Sequence, residues 1–114
     1  WYDGPMAVTE AEFEKAADVE LERLRSALDE SGIDAEVELS MGILSIEFAD
    51  GAKYVVNSHR AARQIWMAAE REAWHFDPDP AKGTWTAAKS GDELWSAIPR
   101  VLGKKLGRAV TLDR

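Results

Sequence analysis

The amino-acid sequence predicts an α+β fold, a two-layer α/β sandwich whose N- and C-terminal helices pack on one face of an antiparallel sheet of about six strands. Apolar residues recur at helical spacing near both ends of the chain, whereas the residues between them alternate between apolar and polar. Short turns separate the alternating segments, and short turns require antiparallel neighbours. A chain of 114 residues has room for a single core.

The first helix is predicted over residues 10–31. Thr9 and Glu12 form a capping-box pattern, in which each side chain accepts a hydrogen bond from the backbone of the other residue. The helix is predicted to end at Gly32, because glycine readily adopts the left-handed conformation that ends helices. The apolar face that should pack on the sheet contains Phe13, Ala17, Leu21, Leu24 and Leu28.

The middle of the chain is predicted to form the sheet. Val37 and Leu39 alternate with glutamates in the first strand, and a turn at Met41-Gly42 leads into the second. Asp50-Gly51 is a typical two-residue hairpin turn between the second and third strands. The second to sixth strands are predicted over residues 43–48, 53–57, 64–70, 74–77 and 84–88, separated by a polar turn over 58–63 and a loop over 78–83.

The second helix is predicted over residues 91–106, between a Ser90–Glu93 capping box and Gly107. Pro99 lies in its interior, where a missing backbone N–H costs about 3 kcal/mol and favours a kink. Residues 109–112 have an extended pattern and are expected to cover the groove between the helices. Three tryptophans are assigned to the core: Trp74, Trp85 and Trp95.

The charge is distributed unevenly along the chain. Residues 1–50 carry 14 acidic and 3 basic side chains, and the whole chain has a net charge of −7. An acidic surface repels phosphate backbones, so we expect no nucleic-acid binding. It attracts cations or basic protein surfaces instead.

The chain has no cysteine, which excludes disulfides, thiolate metal sites and a cysteine nucleophile. No apolar run approaches the roughly 20 residues of a membrane helix, and no signal-peptide pattern opens the chain. We therefore expect a cytoplasmic protein with no membrane partner. Residues 1–8 are interpreted as an N-terminal extension or a remnant of recombinant expression, because residues 1–5 precede Met6, and residues 9–112 as one domain.

Carboxylates form a stripe on the solvent side of the first helix. Asp18, Glu22 and Asp29 lie together on a helical wheel, while Glu14 and Glu20 flank the buried face. This surface either keeps a small domain soluble or binds cations such as Fe²⁺, Mn²⁺, Ca²⁺ or Mg²⁺ weakly. The acidic run extends along the chain through Glu30, Asp34, Glu36 and Glu38.

Catalytic motifs are missing from the sequence. His59, placed in a turn, and His75 are its only imidazoles and are expected to be ordinary surface residues, and there is no HExxH motif or glycine-rich phosphate loop. Alternation places Trp66 on the open side of the sheet with Gln64, either as an interface anchor or as an ordinary half-buried tryptophan. We therefore expect a binding protein rather than an enzyme.

The chain resembles the bacterial frataxin family from about Thr9 to Leu112, and Asn57, Gln64 and Trp66 form a spaced motif after an acidic helix. The other residues that carry the resemblance are Ala11-Glu12-Phe13, Gly42-Ile43-Leu44, Asp50-Gly51, Val56, His75-Phe76-Asp77 and Ser90-Gly91. The resemblance implies an accessory protein of iron–sulfur cluster assembly that binds iron (Fe²⁺/Fe³⁺) weakly and docks on the cysteine desulfurase and the scaffold protein.

The same resemblance assigns the residues of two sites. Iron would bind at Asp29, Glu30, Asp34, Glu36 and Glu38, and the partner would contact Asn57, Gln64 and Trp66. The chain departs from the family pattern in two places. Arg25 and Ser26 interrupt the acidic helix, which would lower or displace iron binding. His75 replaces a basic partner contact, which would make that contact pH-dependent.

Two other functions stay open: a ferroxidase or iron-storage protein, and an acidic mimic that inhibits a nucleic-acid-binding protein. A weak ferroxidase activity is compatible with the accessory role. We expect a monomer, with iron-dependent oligomerisation as an alternative.

Overall fold

The computed structural model describes residues 8–114, so residues 1–7, most of the predicted N-terminal extension, lie outside the described residues. The described part contains two helices and six strands in the predicted order. Neither of its helices combines the length and apolar character of a membrane span. The elements are α1 (Glu10–Ser31), β1 (Ala35–Ser40), β2 (Ile43–Phe48), β3 (Lys53–His59), β4 (Gln64–Ala69), β5 (Glu72–Asp79), β6 (Thr84–Ala87) and α2 (Leu94–Leu106).

The strands form one antiparallel meander, in which each strand pairs with its neighbours in sequence. The register aligns the apolar residues on one face: Val56 lies opposite Leu44 on one side and Met67 on the other. All three are buried, and both helices pack on this face. No element of residues 8–114 covers the opposite face, so we call it the open face. The predicted fold class is confirmed.

The ends of α1 agree with the sequence prediction. The Thr9 N–H donates to Glu12 Oε1 at 2.9 Å and the Glu12 N–H donates to Thr9 Oγ1 at 3.1 Å, so the capping box is complete. The hydrogen bond from the Thr9 backbone lowers the pKa of the Glu12 carboxyl. Gly32 ends the helix with φ of 70°.

Several strand boundaries differ from the prediction. At the connection between β2 and β3 the predicted strand ends at Phe48 and Lys53 are correct, and there the Phe48 N–H donates to the Ala52 carbonyl and the Ala52 N–H donates to Asp50. β3 continues to His59, which was placed in a turn. β5 extends in both directions, since Glu72 pairs with Ala69 and Asp79 with Thr84.

The predicted start of α2 was wrong by three residues. Gly91 adopts φ of 78°, and Ser90 Oγ accepts the Asp92 N–H at 3.3 Å, so these residues form a turn. The helix begins at Leu94 with Glu93 as its N-cap, whose side chain accepts the Trp95 N–H. It then continues through Pro99 to Leu106.

Glu20 is buried, with 3% of its surface exposed, although the helical wheel placed it beside the buried face. The Trp95 indole N–H donates to its carboxylate, and Arg114 lies 3.4 Å from Glu20 Oε1. Val110 and Leu112 of the extended C-terminal segment pack against the core. Glu20 therefore joins α1 to both α2 and the C-terminal segment.

Asp92 anchors the turn before α2. Its carboxylate accepts from Trp74 Nε1 at 3.0 Å and from Arg100 Nη1 at 2.9 Å. Hydrogen bonds from Arg100, Trp74 and Ser90, in that order of importance, hold the pKa of the Asp92 carboxyl well below its ordinary value. The ionised form is therefore favoured in the folded state.

We expect Asp92 to make stability depend on pH in the acidic range. A group whose pKa is lowered by folding contributes stability above its unfolded pKa of about 3.9, and this contribution is lost as the pH falls further. Urea unfolding of the wild type and of Asp92→Asn, which keeps an acceptor for Trp74, should differ at pH 7 and converge in strong acid. An equal difference at both pH values would contradict the assignment.

Candidate functional site

The predicted metal-binding carboxylates all lie on the surface, along one side of α1 and onto β1. We call them the acidic ridge. α1 packs against β1, so the helical and strand parts of the ridge are neighbours at this edge of the sheet. The members of the ridge, all exposed, are Asp18, Glu22, Asp29, Glu30, Asp34, Glu36 and Glu38.

Arg25 divides the helical part of the ridge. Its Nη1 lies 2.7 Å from Asp29 Oδ2 and its Nε lies 3.0 Å from Glu22 Oε1. The hydrogen bond from Arg25 lowers the pKa of the Glu22 carboxyl. The spacing of three and four residues is the sequence signal for this pairing. A cation would compete with Arg25 for Glu22 and Asp29.

The strand part of the ridge lies on the open face. Glu36 is directly opposite Glu47 of β2, and Glu47 is opposite Lys53 of β3. Glu38, on the same face, lines a shallow pocket together with these three residues. Glu47 was not among the predicted site residues, although its register follows from the hairpin. Like charges directly opposite each other repel, and Lys53 offsets part of the repulsion between Glu36 and Glu47.

The carboxylates of the ridge do not form a preformed metal-binding site in the described part of the chain. Among residues 8–114, no three Asp, Glu or His side chains lie close enough together to hold one metal ion. The carboxylates occur singly or as pairs along α1 and β1.

The predicted partner-binding residues lie together on the open face. Asn57 is opposite Trp66, and Trp66 is opposite His75, so these three form one row across β3, β4 and β5. Trp66 is half-buried, and its neighbours Ile65 and Met67 point into the core. We call Asn57, Gln64, Trp66 and His75 the sheet-face site.

Hydrogen bonds fix the orientation of Gln64. Trp66 Nε1 donates to Gln64 Oε1 at 2.8 Å, and Gln64 Nε2 donates to Asp77 Oδ1 at 2.9 Å. An indole N–H only donates and a carboxylate only accepts, so only one orientation of the amide satisfies both. Asp77, a residue with no predicted role of its own, therefore supports the site.

Two imidazoles stack on the Trp66 indole. The ring centroids of His59 and Trp66 are 3.8 Å apart with 16° between the planes, and those of Trp66 and His75 are 4.2 Å apart with 14°. His59 was expected to be an ordinary surface residue of a turn. As the last residue of β3 it lies opposite Gln64 and within reach of the indole.

The strand part of the ridge and the sheet-face site share the open face. The open face carries the strand carboxylates at one side and an ordered aromatic row at its centre. Neighbouring strands lie about 4.8 Å apart, so β1 and β4 are separated by about 14 Å. One partner surface, or two adjacent partners, can therefore contact both regions.

Comparison with known proteins finds relatives along nearly the whole chain. The family model described as the frataxin-like domain matches residues 6–108. An iron–sulfur cluster assembly protein CyaY from Pseudomonas putida is 32% identical over 108 residues, covering 95% of this chain and 98% of the relative. The protein of the same name from Azotobacter vinelandii is 33% identical over 102 residues, covering 90% and 93%.

Solved structures show the same fold. A frataxin from Psychromonas ingrahamii superposes with a TM-score of 0.85 at 24% identity, covering 94% of this chain and 100% of that one. A trimeric frataxin from the yeast Saccharomyces cerevisiae, complexed with ferrous iron, gives a TM-score of 0.63 at 25% identity, covering 94% of each chain.

Proposed function

The chain belongs to the frataxin-like family, and we propose that it acts as a non-enzymatic accessory protein of iron–sulfur cluster assembly that docks on the cysteine desulfurase and its scaffold protein. The observation that carries the proposal is the position of Trp66, held in a row with Asn57 and His75 on a face that no described element covers. An ordered tryptophan on an uncovered sheet face is typical of an interface anchor.

We assign different partners to the two surfaces. The acidic ridge is complementary to a basic patch, so it would dock on the desulfurase through long-range attraction that salt weakens. The sheet-face site offers an aromatic and amide surface instead, which suits close contact with the scaffold protein. Because the strand part of the ridge and the sheet-face site both lie on the open face, one copy could bridge the two partners.

Iron is the proposed cargo of the acidic ridge. Carboxylate oxygens are suitable ligands for Fe²⁺ and other divalent cations, and an exposed pair such as Glu36 and Glu47 would bind them weakly. The yeast relative complexed with ferrous iron supports the choice of metal. Arg25 would weaken binding at Glu22 and Asp29, so we place the principal iron contacts on β1 and β2.

Reversing the charge of the strand part of the ridge tests the proposal. In the variant Glu36→Lys/Glu38→Lys, we expect the affinity for purified cysteine desulfurase to fall at least about tenfold at low salt, because attraction becomes repulsion. Folding stability should change little, since both side chains are exposed. Calorimetric titration with and without Fe²⁺, at low and physiological salt, measures the effect.

The matched control is Glu72→Lys/Asp113→Lys, which changes the net charge equally at exposed positions outside the ridge. Its affinity should remain close to that of the wild type. Equal losses in both variants would mean that only net charge matters. If the wild type itself does not bind the desulfurase at low salt, the docking proposal is wrong.

A further inference from the structure

We infer that His59 is a positioning residue of the sheet-face site. Its ring completes a three-ring stack with Trp66 and His75, and this stack fixes the orientation in which the Trp66 indole contacts a partner. The inference rests on the proposed function, because it assigns a further residue to the same docking surface. His59 lies outside the spaced motif of Asn57, Gln64 and Trp66, and its contribution depends on ring stacking rather than on that motif.

The stack covers both faces of the Trp66 indole, and a hydrogen bond engages its N–H. His59 covers one face at 3.8 Å and His75 covers the other at 4.2 Å, with all three rings nearly parallel. The indole N–H is engaged by Gln64 Oε1, which Asp77 holds in turn. The ring faces are therefore not available for insertion of a partner side chain, and a partner meets the exposed edge of the stack.

A hydrogen bond from the backbone of the following turn orients the His59 ring. Its Nδ1 accepts the Ala62 N–H at 3.2 Å, which fixes the ring plane against the turn between β3 and β4. That turn is tied to α1, since Arg60 Nε lies 2.7 Å from Glu14 Oε1 and Arg60 Nη1 lies 3.4 Å from Glu10 Oε1. The imidazole thus links a fixed turn to the indole.

Ordering Trp66 before the partner arrives should increase affinity. A side chain that is mobile in the free protein loses conformational freedom on binding, whereas a pre-ordered one does not. Without its stacking partner at residue 59, the indole has one uncovered face and more freedom to move. We expect about a fivefold loss of affinity for the scaffold protein, the range that immobilising one side chain implies.

Two substitutions separate the ring of His59 from its hydrogen bond. His59→Asn removes the ring but keeps a side-chain oxygen that can accept from Ala62, and His59→Phe keeps a stacking ring but removes the acceptor. The first readout is the near-ultraviolet circular dichroism of Trp66, obtained as the difference from the same protein carrying Trp66→Phe. The second is calorimetric titration with the purified scaffold protein of the same organism.

The expected result is a reduced Trp66 signal and about fivefold weaker binding for His59→Asn, with both properties retained in His59→Phe. An unchanged Trp66 signal in His59→Asn would overturn the inference, as would equal losses in the two variants, which would assign the effect to the hydrogen bond. If the wild type does not bind the scaffold protein, the proposed function fails, and the spectrum alone then decides whether His59 orders the indole.

Discussion

Replacing Trp66 by alanine is expected to lower the affinity for the iron–sulfur scaffold protein by at least about thirtyfold, which corresponds to about 2 kcal/mol. Trp66 is the largest side chain of the sheet-face site and lies at the centre of its row, opposite both Asn57 and His75. Truncation removes the anchor and also leaves both imidazoles without a stacking partner. Calorimetric titration of the variant against the purified scaffold protein measures the loss.

The control is Val19→Ala, which shortens an exposed apolar side chain on the helical side of the molecule. It should bind the scaffold protein as the wild type does. Trp66 is not among the buried core residues, so urea unfolding should show that Trp66→Ala still folds cooperatively. Unchanged affinity in a folded Trp66→Ala protein would remove the sheet-face site from the docking surface.

The largest effect on stability is expected for Trp95→Ala, a loss of about 3–5 kcal/mol in the free energy of unfolding. The indole is 9% exposed and packs within the core, so truncation leaves a cavity. Truncation also removes the N–H that donates to the buried Glu20 carboxylate. A buried acceptor left without its donor adds a further penalty. Urea unfolding at low temperature, where a weakened protein stays folded, measures the change.

Two milder substitutions divide this effect into packing and hydrogen bonding. Trp95→Phe keeps a ring in the core but removes the N–H, and should cost about 1–3 kcal/mol. Glu20→Gln keeps an acceptor for Trp95 and loses only the charge that faces Arg23 and Arg114, so its cost should be smaller. If Trp95→Phe is as stable as the wild type, the link between Trp95 and Glu20 contributes no net stability.

The fold was predictable because its signals are local. Alternation along β2 and β4 assigns each side chain to one face, and sequential hairpins leave no choice of strand order. The capping box of Thr9 and Glu12 and the stop at Gly32 lie within four residues of the helix ends they determine. The Ser90–Glu93 pattern failed because Asp92, between them, binds Trp74 and Arg100 and holds the segment in a turn.

The composition of the candidate site was partly predictable. Alternation placed Trp66 on the open side of the sheet, and the structure confirms that position. The pairing of Arg25 with Glu22 and Asp29 was available from helical spacing but was interpreted only as an interruption of the acidic stripe. The assignment of iron and of protein partners to these residues remains a prediction.

Other features depend on contacts between distant parts of the chain. The burial of Glu20 requires Trp95, which is 75 residues away, and no helical wheel contains that information. The stack on Trp66 requires β3 to continue to His59 and the sheet register to bring His75 alongside. The orientation of Gln64 similarly depends on Asp77, which lies on the next strand.

Because β1 is an edge strand of the sheet, its glutamates have a second role. Among the described strands β1 pairs only with β2, so one row of its backbone groups is open to pairing with another chain. Charge on such a strand opposes aggregation, and Glu36 and Glu38 supply it, while β6 at the other edge has only four residues. Neutral substitutions at these glutamates should therefore promote fibrous aggregation, whereas lysine preserves the protection.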